Sequence, residues 1–248
     1  MKMIKLSKAL MAAGLMTATA AAHAGVTGNV AFTTDYLFRG VSQSSNNAAV
    51  QGTLSYAHDS GFYATAWGSS IASGAGGLEL DTLLGYAGKS GEVGYDVGVM
   101  RYNYPGLNDN TSGQVNSDDL VTPVDADYNE IYASVSYVGA KLGVNYSPDY
   151  FLESDEFLYV YLDYAKEVSG IGLFAHVGMN MFDSELKMNQ ALFTTGTDDG
   201  YMDYKVAVSK ALEGVTFELA YMGSDIDEKD CGGGLCEGRV VGTMSKAF

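Results

Sequence analysis

The chain ends in Arg239-Val240-Val241-Gly242-Thr243-Met244-Ser245-Lys246-Ala247-Phe248. Val240, Gly242, Met244, Lys246 and Phe248 form one row, and Arg239, Val241, Thr243, Ser245 and Ala247 form the other. A period of two puts the rows on opposite faces of a strand. One row is apolar except at Lys246, whose long stem can carry its ammonium to a nearby water interface. A terminal strand closed by an aromatic residue, in a chain that opens with an export signal, predicts an all-β transmembrane antiparallel up-and-down barrel in a bacterial outer membrane. Phe248 would then serve as the C-terminal signal read by the barrel assembly machinery.

The other end supplies the signal. Lys2, Lys5 and Lys8 precede a run of small and apolar residues, Ala9 to Ala22, and then Ala22-His23-Ala24. This is the layout of a cleaved secretory peptide, giving a division into residues 1–24 and a barrel over residues 25–248. The run is too short for a membrane-crossing helix, and no later stretch is long and apolar enough. Losing the three lysines takes the net charge from −16 to −19, which argues against a nucleic-acid partner. Gly (31), Tyr (18) and only three Pro suit strands joined by tight turns.

Twelve strands are expected, near 26–38, 47–57, 62–71, 78–87, 92–104, 127–137, 140–147, 156–165, 170–180, 200–210, 214–223 and 238–248. In the fourth, Leu78, Leu80, Leu84 and Tyr86 oppose Glu79 and Asp81. In the fifth the apolar phase shifts from Tyr95, Val97 and Val99 to Tyr102 and Tyr104, for which a bulge near Met100-Arg101 is the expected cause. The connections alternate. Short ones lie at His58–Gly61, Gly88–Gly91, Val138–Gly139, Lys166–Ser169 and Ala211–Glu213, with six longer ones between them. Short turns at one rim and long loops at the other describe an outer-membrane barrel.

Alternation does not say which face is wet. Twelve strands and many charges on the polar face favour a polar interior, because burying those charges in a dry core would cost several kcal/mol each unless paired. Parity then assigns Glu79, Asp81, Asp96, Glu130, Asp163, Asp203 and Glu218 to the lumen as acids, and Arg39, Arg101, Lys141 and Lys205 as bases, together with His176. The excess of acids predicts a weak cation preference if the barrel conducts. The opposing possibility is that these charges pair across the lumen and plug it. Tyr36, Tyr56, Tyr86, Tyr104, Tyr128, Tyr137, Tyr146, Tyr164 and Tyr221 stand near strand ends, where an interfacial girdle needs them.

Specific stretches carry a family resemblance. They are Gly28-Asn29-Val30, Thr34-Asp35-Tyr36-Leu37-Phe38-Arg39-Gly40-Val41-Ser42-Gln43, Gly61-Phe62-Tyr63, Trp67-Gly68-Ser69, Glu79-Leu80-Asp81, Tyr102 with Tyr104-Pro105-Gly106, Asp127-Tyr128-Asn129-Glu130, and Cys231 to Cys236 followed by Gly238-Arg239-Val240-Val241 and Ser245-Lys246-Ala247-Phe248. Over the mature chain the sequence resembles the TorF-type porin family of exported proteobacterial proteins. The resemblance implies an outer-membrane barrel and a channel, and it brings no substrate and no functional residues.

Cys231 and Cys236, five apart in an exported chain, predict a disulfide closing a small loop. No metal site is expected, and no cofactor. The long loops hold most of the acids, which fit a solvated surface better than a site for cations bridging lipopolysaccharide phosphates. Asp225-Ile226-Asp227-Glu228-Lys229 is not an EF-hand loop, because Lys229 holds a ligand position. His58 sits in a turn, and His176 has Gly178 where a barrel phospholipase would carry serine, so no catalytic residue is assigned. Arg39 is placed at the outer end of the first strand, as a rim charge or a solute-orienting group. The loop Pro105–Ala126 could fold inward as a constriction or outward as a recognition surface. The expected partners are outer-membrane lipid, lipopolysaccharide and small hydrophilic solutes.

Overall fold

A computed structural model describes residues 25–108, 114–115, 121–122 and 125–248. The signal-peptide reading of residues 1–24 lies outside the described residues. In chain order the strands are β1 (Gly25–Thr33), β2 (Leu37–Phe38), β3 (Val41–Ser42), β4 (Ala49–Ala57), β5 (Phe62–Ser70), β6 (Leu78–Ser90), β7 (Val93–Asn103), β8 (Gln114–Val115), β9 (Val121–Thr122), β10 (Tyr128–Tyr137), β11 (Ala140–Ser147), β12 (Phe157–Val168), β13 (Ile171–Phe182), β14 (Gly200–Leu212), β15 (Val215–Ser224) and β16 (Arg239–Ala247). Twelve of them form one closed antiparallel barrel in sequential order, sealed where β1 pairs with β16. β2–β3 and β8–β9 are two small separate hairpins. Two short helices, α1 (Pro105–Asn108) and α2 (Glu185–Leu192), lie in the long loops.

The seam uses the terminal aromatic. Gly28 and Phe248 exchange two backbone hydrogen bonds of 2.9 Å, and the Phe248 ring lies where a side chain at position 28 would stand. Closure leaves no open edge in the wall, so every strand is paired on both sides.

Turn chemistry sets the short rim. Val138-Gly139, Ser169-Gly170 and Glu213-Gly214 all hold positive φ at both positions. This is the type I′ geometry whose twist matches paired strands, and glycine takes its second place without strain. The strands run a little further into these turns than expected, and the alternation of short turns and long loops holds around the barrel.

The apolar rows face out. Val26, Val30 and Phe32 of β1, Leu80 and Leu84 of β6, Leu158 and Leu162 of β12, and Val240 and Met244 of β16 are all exposed. The polar rows face in, with Glu79, Asp81, Glu130, Asp163, Asp203 and Glu218 all buried. That inversion suits a barrel set in lipid and not one in water, where so continuous an apolar exterior would drive association. No helix among the described residues is long and apolar enough to cross a membrane, which says nothing of strands.

Three expectations are corrected. The register of β7 is unbroken against both β6 and β10, so no bulge exists at Met100-Arg101. Met100 and Tyr102 turn inward because this end of the lumen is filled with aromatic groups, and Arg101 therefore points outward, away from the lumen. The first strand leaves the wall at Thr33 instead of running to Phe38. Of the tyrosines expected in a girdle, Tyr56, Tyr137, Tyr164 and Tyr221 are exposed, while Tyr104 and Tyr128 are buried and Tyr36 packs against that buried cluster.

Glycines make room for inward tyrosines. The Tyr161 ring covers Gly143, its register partner on β11, and the Tyr159 ring covers Gly178 on β13. Tyr63 and Tyr132 cover Gly85 and Gly98 in the same way. A small residue on one strand thus seats a flat ring from a neighbour. Gly143→Val should displace Tyr161 and cost about 1–3 kcal/mol by overpacking, read as a lower denaturant midpoint for the lipid-folded barrel. An unchanged midpoint would show that the ring is not seated there.

Candidate functional site: the lumen and its plug

After Thr33 the chain turns into the barrel as the hairpin β2–β3. Its two-residue turn is Arg39-Gly40, both with positive φ. Gly40 is required there for a second reason: a Cβ would strike the Gly223 backbone on β15 and the Asp203 side chain on β14. The hairpin tip is therefore pressed against one wall while Arg39 reaches another.

Arg39 meets Glu130 of β10 through two parallel hydrogen bonds, Nη1 to Oε1 at 2.8 Å and Nη2 to Oε2 at 2.9 Å. Glu130 Oε2 also accepts from Asn145 Nδ2 at 2.8 Å and from the Tyr102 hydroxyl at 3.1 Å. Both charged side chains are almost fully withdrawn from solvent, at 2% and 0% exposure. The guanidinium lies over the rings of Tyr159 (4.4 Å), Phe38 (4.7 Å) and Phe157 (4.8 Å). A planar, weakly hydrated cation suits both the fork and the stack.

Around this pair the lumen is packed with rings. Tyr102 stacks on Tyr128 at 4.3 Å, Tyr150 on Phe157 at 4.1 Å, and Tyr128 meets Tyr150 at 4.6 Å. Tyr150 comes from the loop after β11, and burial pushes its phenol up to about 12, so it stays neutral while its oxygen accepts from Arg39 Nη1 at 3.5 Å. Ala126 is wholly buried in the same cluster. The rest of the Pro105–Ala126 loop falls partly outside the described residues, so neither reading of it is tested.

A second set of contacts ties the hairpin to the last long loop. Asp35 accepts from Ser42 and Ser44 hydroxyls at 2.7 Å each and from Arg239 Nη1 at 2.9 Å. Ser42 N donates to Leu235 O at 2.9 Å, and Asn46 Nδ2 to Gly233 O at 3.0 Å. Leu235 and Gly233 belong to the small loop closed by the Cys231–Cys236 disulfide, as expected.

Toward the short-turn rim the lumen is polar. His176 places Nδ1 at 2.6 Å from Asp163 and Nε2 at 2.8 Å from Asp203, with the Tyr159 hydroxyl also 2.8 Å from Nε2. Asn180 Nδ2 donates to Asp203 at 2.8 Å. Lys205 pairs with Glu218 at 2.7 Å, Tyr63 donates to Asp96 at 2.7 Å, and Lys141 lies over the Tyr161 ring at 5.3 Å. With a carboxylate on each nitrogen, His176 has no lone pair turned toward an outside proton, so this arrangement is not that of a general base.

Of the residues assigned to the interior, Glu79, Asp81, Asp96, Glu130, Lys141, Asp163, His176, Asp203, Lys205 and Glu218 lie within the barrel. Arg39 does too, but deep among rings and not at the rim. Arg101 does not: it is exposed and bonds Asp127 at 3.0 Å and Asn103 at 3.0 Å. Sequence reasoning missed the aromatic wall and the partners Asn145 and Asn180. The parity of Phe157, Tyr159 and Tyr161 on the face of Asp163 was the available signal.

Removing one partner of a buried ion pair strands the other, at about 3–5 kcal/mol. Arg39→Ala should lower the stability of the lipid-folded barrel by that amount. Arg39→Lys should recover only a minor part, since lysine offers neither fork nor plane. Full recovery by lysine would mean that only the charge matters.

A sequence profile for a bacterial family of unknown function, Gcw_chp, matches residues 17–248. No curated protein matches the chain. Among solved structures, a membrane-protein chain from work on in-meso crystallization aligns with TM-score 0.51 and 10% identity, over 91% of this chain and 83% of that one. The NanC porin aligns with TM-score 0.48 and 8% identity, over 90% and 98%. The COG4313 outer membrane channel of Pseudomonas putida F1 aligns with TM-score 0.44 and 14% identity, over 94% and 100%. At these identities the likeness speaks to the fold alone. On the near full-length profile match, the chain belongs to the Gcw_chp family of bacterial proteins.

Proposed function

We propose that the protein is an outer-membrane channel for small hydrophilic solutes, held shut at its loop rim by the β2–β3 hairpin. One observation carries this reading. The charged interior ends at a plug made from a loop that enters the lumen and is fixed to the wall by Arg39 and Glu130. A plug built from a connection, not from the wall, can leave without dismantling the barrel. The short turns and both strand termini would face the periplasm and the acidic loops the outside, where lipid and lipopolysaccharide are the neighbours. The C-terminal strand would be the part read by the assembly machinery.

With Arg101 outside, the interior keeps its seven acids against Arg39, Lys141 and Lys205. Fixed negative charge in a narrow passage favours cations. The second reading is a permanently closed barrel that acts through its loops. It is favoured by the pairing already present, since His176 and Lys205 are both engaged by luminal acids.

Planar-bilayer recording separates the two. The native barrel should be mostly silent. A variant whose residues 36–43 are replaced by a Gly-Ser turn should conduct steadily, with a reversal potential of cation-selective sign. A folded hairpin-less variant that stays silent would overturn the channel reading and leave the scaffold.

A further inference from the structure

We infer that Arg101, on the outward face of β7, is the centre of a binding site for the phosphate of an outer-leaflet glycolipid. The inference rests on the loop rim facing outward, as proposed above, and not on whether the barrel conducts.

The outward rows are apolar for most of their length, so a cation there calls for an explanation. Among the described residues, Lys166, Lys210 and Lys246 also lie on those rows, but all three stand at the short-turn rim. Arg101 stands at the opposite rim, close to the end of β7 at Asn103, and is the one cation of the outward rows at that end.

Its neighbours are arranged in register. Thr82 on β6 and Asn129 on β10 lie directly opposite Arg101, one on each side, and both are exposed. Opposed side chains on one face of a sheet have Cβ atoms about 4.5–5.5 Å apart. A hydroxyl, a guanidinium and a carboxamide thus form one lateral row of hydrogen-bond donors. The next row toward the short turns is Leu84, Val99 and Ile131, also in register and all exposed. A donor row bordering a row that faces hydrocarbon matches a phosphorylated lipid, with its anion at the interface and its acyl chains along the wall.

The guanidinium is held in place and only partly used. Arg101 Nε donates to Asn103 Oδ1 at 3.0 Å, and Nη2 to Asp127 Oδ2 at 3.0 Å. Asp127 is the more enclosed partner. Its other oxygen accepts from Tyr104 N at 2.7 Å, and its side chain is 14% exposed against 44% for Arg101. Two of the five guanidinium N–H groups are so engaged, and Nη1 has no acceptor among the described residues. Nη1 and the second hydrogen of Nη2 form the fork that fits two phosphate oxygens. Asp127 aims that fork, and Thr82 and Asn129 add uncharged donors beside it. Elsewhere this rim is hostile to anions: the chain carries a net charge of −16, and the long loops hold most of its acids.

The probe is bisphosphorylated lipid A, with the dephosphorylated form as control. The barrel, refolded in neutral detergent and titrated with each, should show one bound phosphorylated lipid by native mass spectrometry and none of the control at the same concentration. Arg101→Gln should bind at least about tenfold more weakly, as expected for the loss of a charge-assisted contact. Lys246→Gln, at the other rim, should bind as the native barrel does. If Arg101→Gln does not regain compact mobility on a gel, Thr82→Val/Asn129→Leu leaves the Arg101–Asp127 pair intact and should also bind more weakly. Equal binding by the native barrel and these variants, or equal binding of the two lipids, would overturn the site and leave the placement of the rim standing. That placement is read separately. Thr197→Cys, exposed in the loop before β14, should be labelled on intact cells by a reagent that does not cross the outer membrane. Labelling only after the membrane is broken would put this rim in the periplasm and overturn the inference from that side.

Discussion

Everything inside this barrel is arranged around a charge that water cannot reach. Arg39 carries a full positive charge to the middle of a ring cluster, and Glu130 meets it with both oxygens. Such a pair is not a source of great stability in itself, since desolvation consumes most of the Coulomb gain. What it confers is position. Only one placement of the hairpin satisfies the fork, the Tyr102 and Asn145 bonds to Glu130, and the close approach at Gly40. The loop therefore has one seat.

The rest follows from the wall. A lipid-facing exterior uses one row of every strand for apolar side chains, so polar function within the lumen must come from the other row. That row holds mutually engaged groups: a histidine between two aspartates, a lysine on a glutamate, tyrosines over glycines. Even the disulfide loop contributes by holding the base of the hairpin through Leu235 and Gly233. Loop and lumen are one connected network, which is why a change at the tip of the first loop is expected to be felt across the barrel.

Much of this was legible in the sequence. The twelve wall strands, the loop rhythm and the outward row of β16 could be read from period-two alternation and from X-Gly turns, because lipid and water enforce that alternation along every strand. The inward set of acids was legible for the same reason. What alternation could not reveal was how the lumen is filled. Tyr104 and Tyr128 near strand ends look the same in sequence whether they meet headgroups or a plug. The shift of phase in β7 resembles a bulge, yet it records aromatic packing inside. Tyr36-Leu37-Phe38 is an apolar run that reads as an extension of β1, so nothing local marks Thr33 as the point at which the chain leaves the wall. That departure depends on Glu130, 91 residues from Arg39.

The most direct test is a double-mutant cycle on Arg39 and Glu130, measured as equilibrium folding stability in lipid vesicles. If the hairpin is seated as described, Arg39→Ala and Glu130→Ala will each weaken the barrel, and the double variant will be little worse than either one. A coupling toward the upper part of the usual range, about 3 kcal/mol, is expected for contacting charges. Losses that simply add would place the two side chains apart and contradict the plugged lumen.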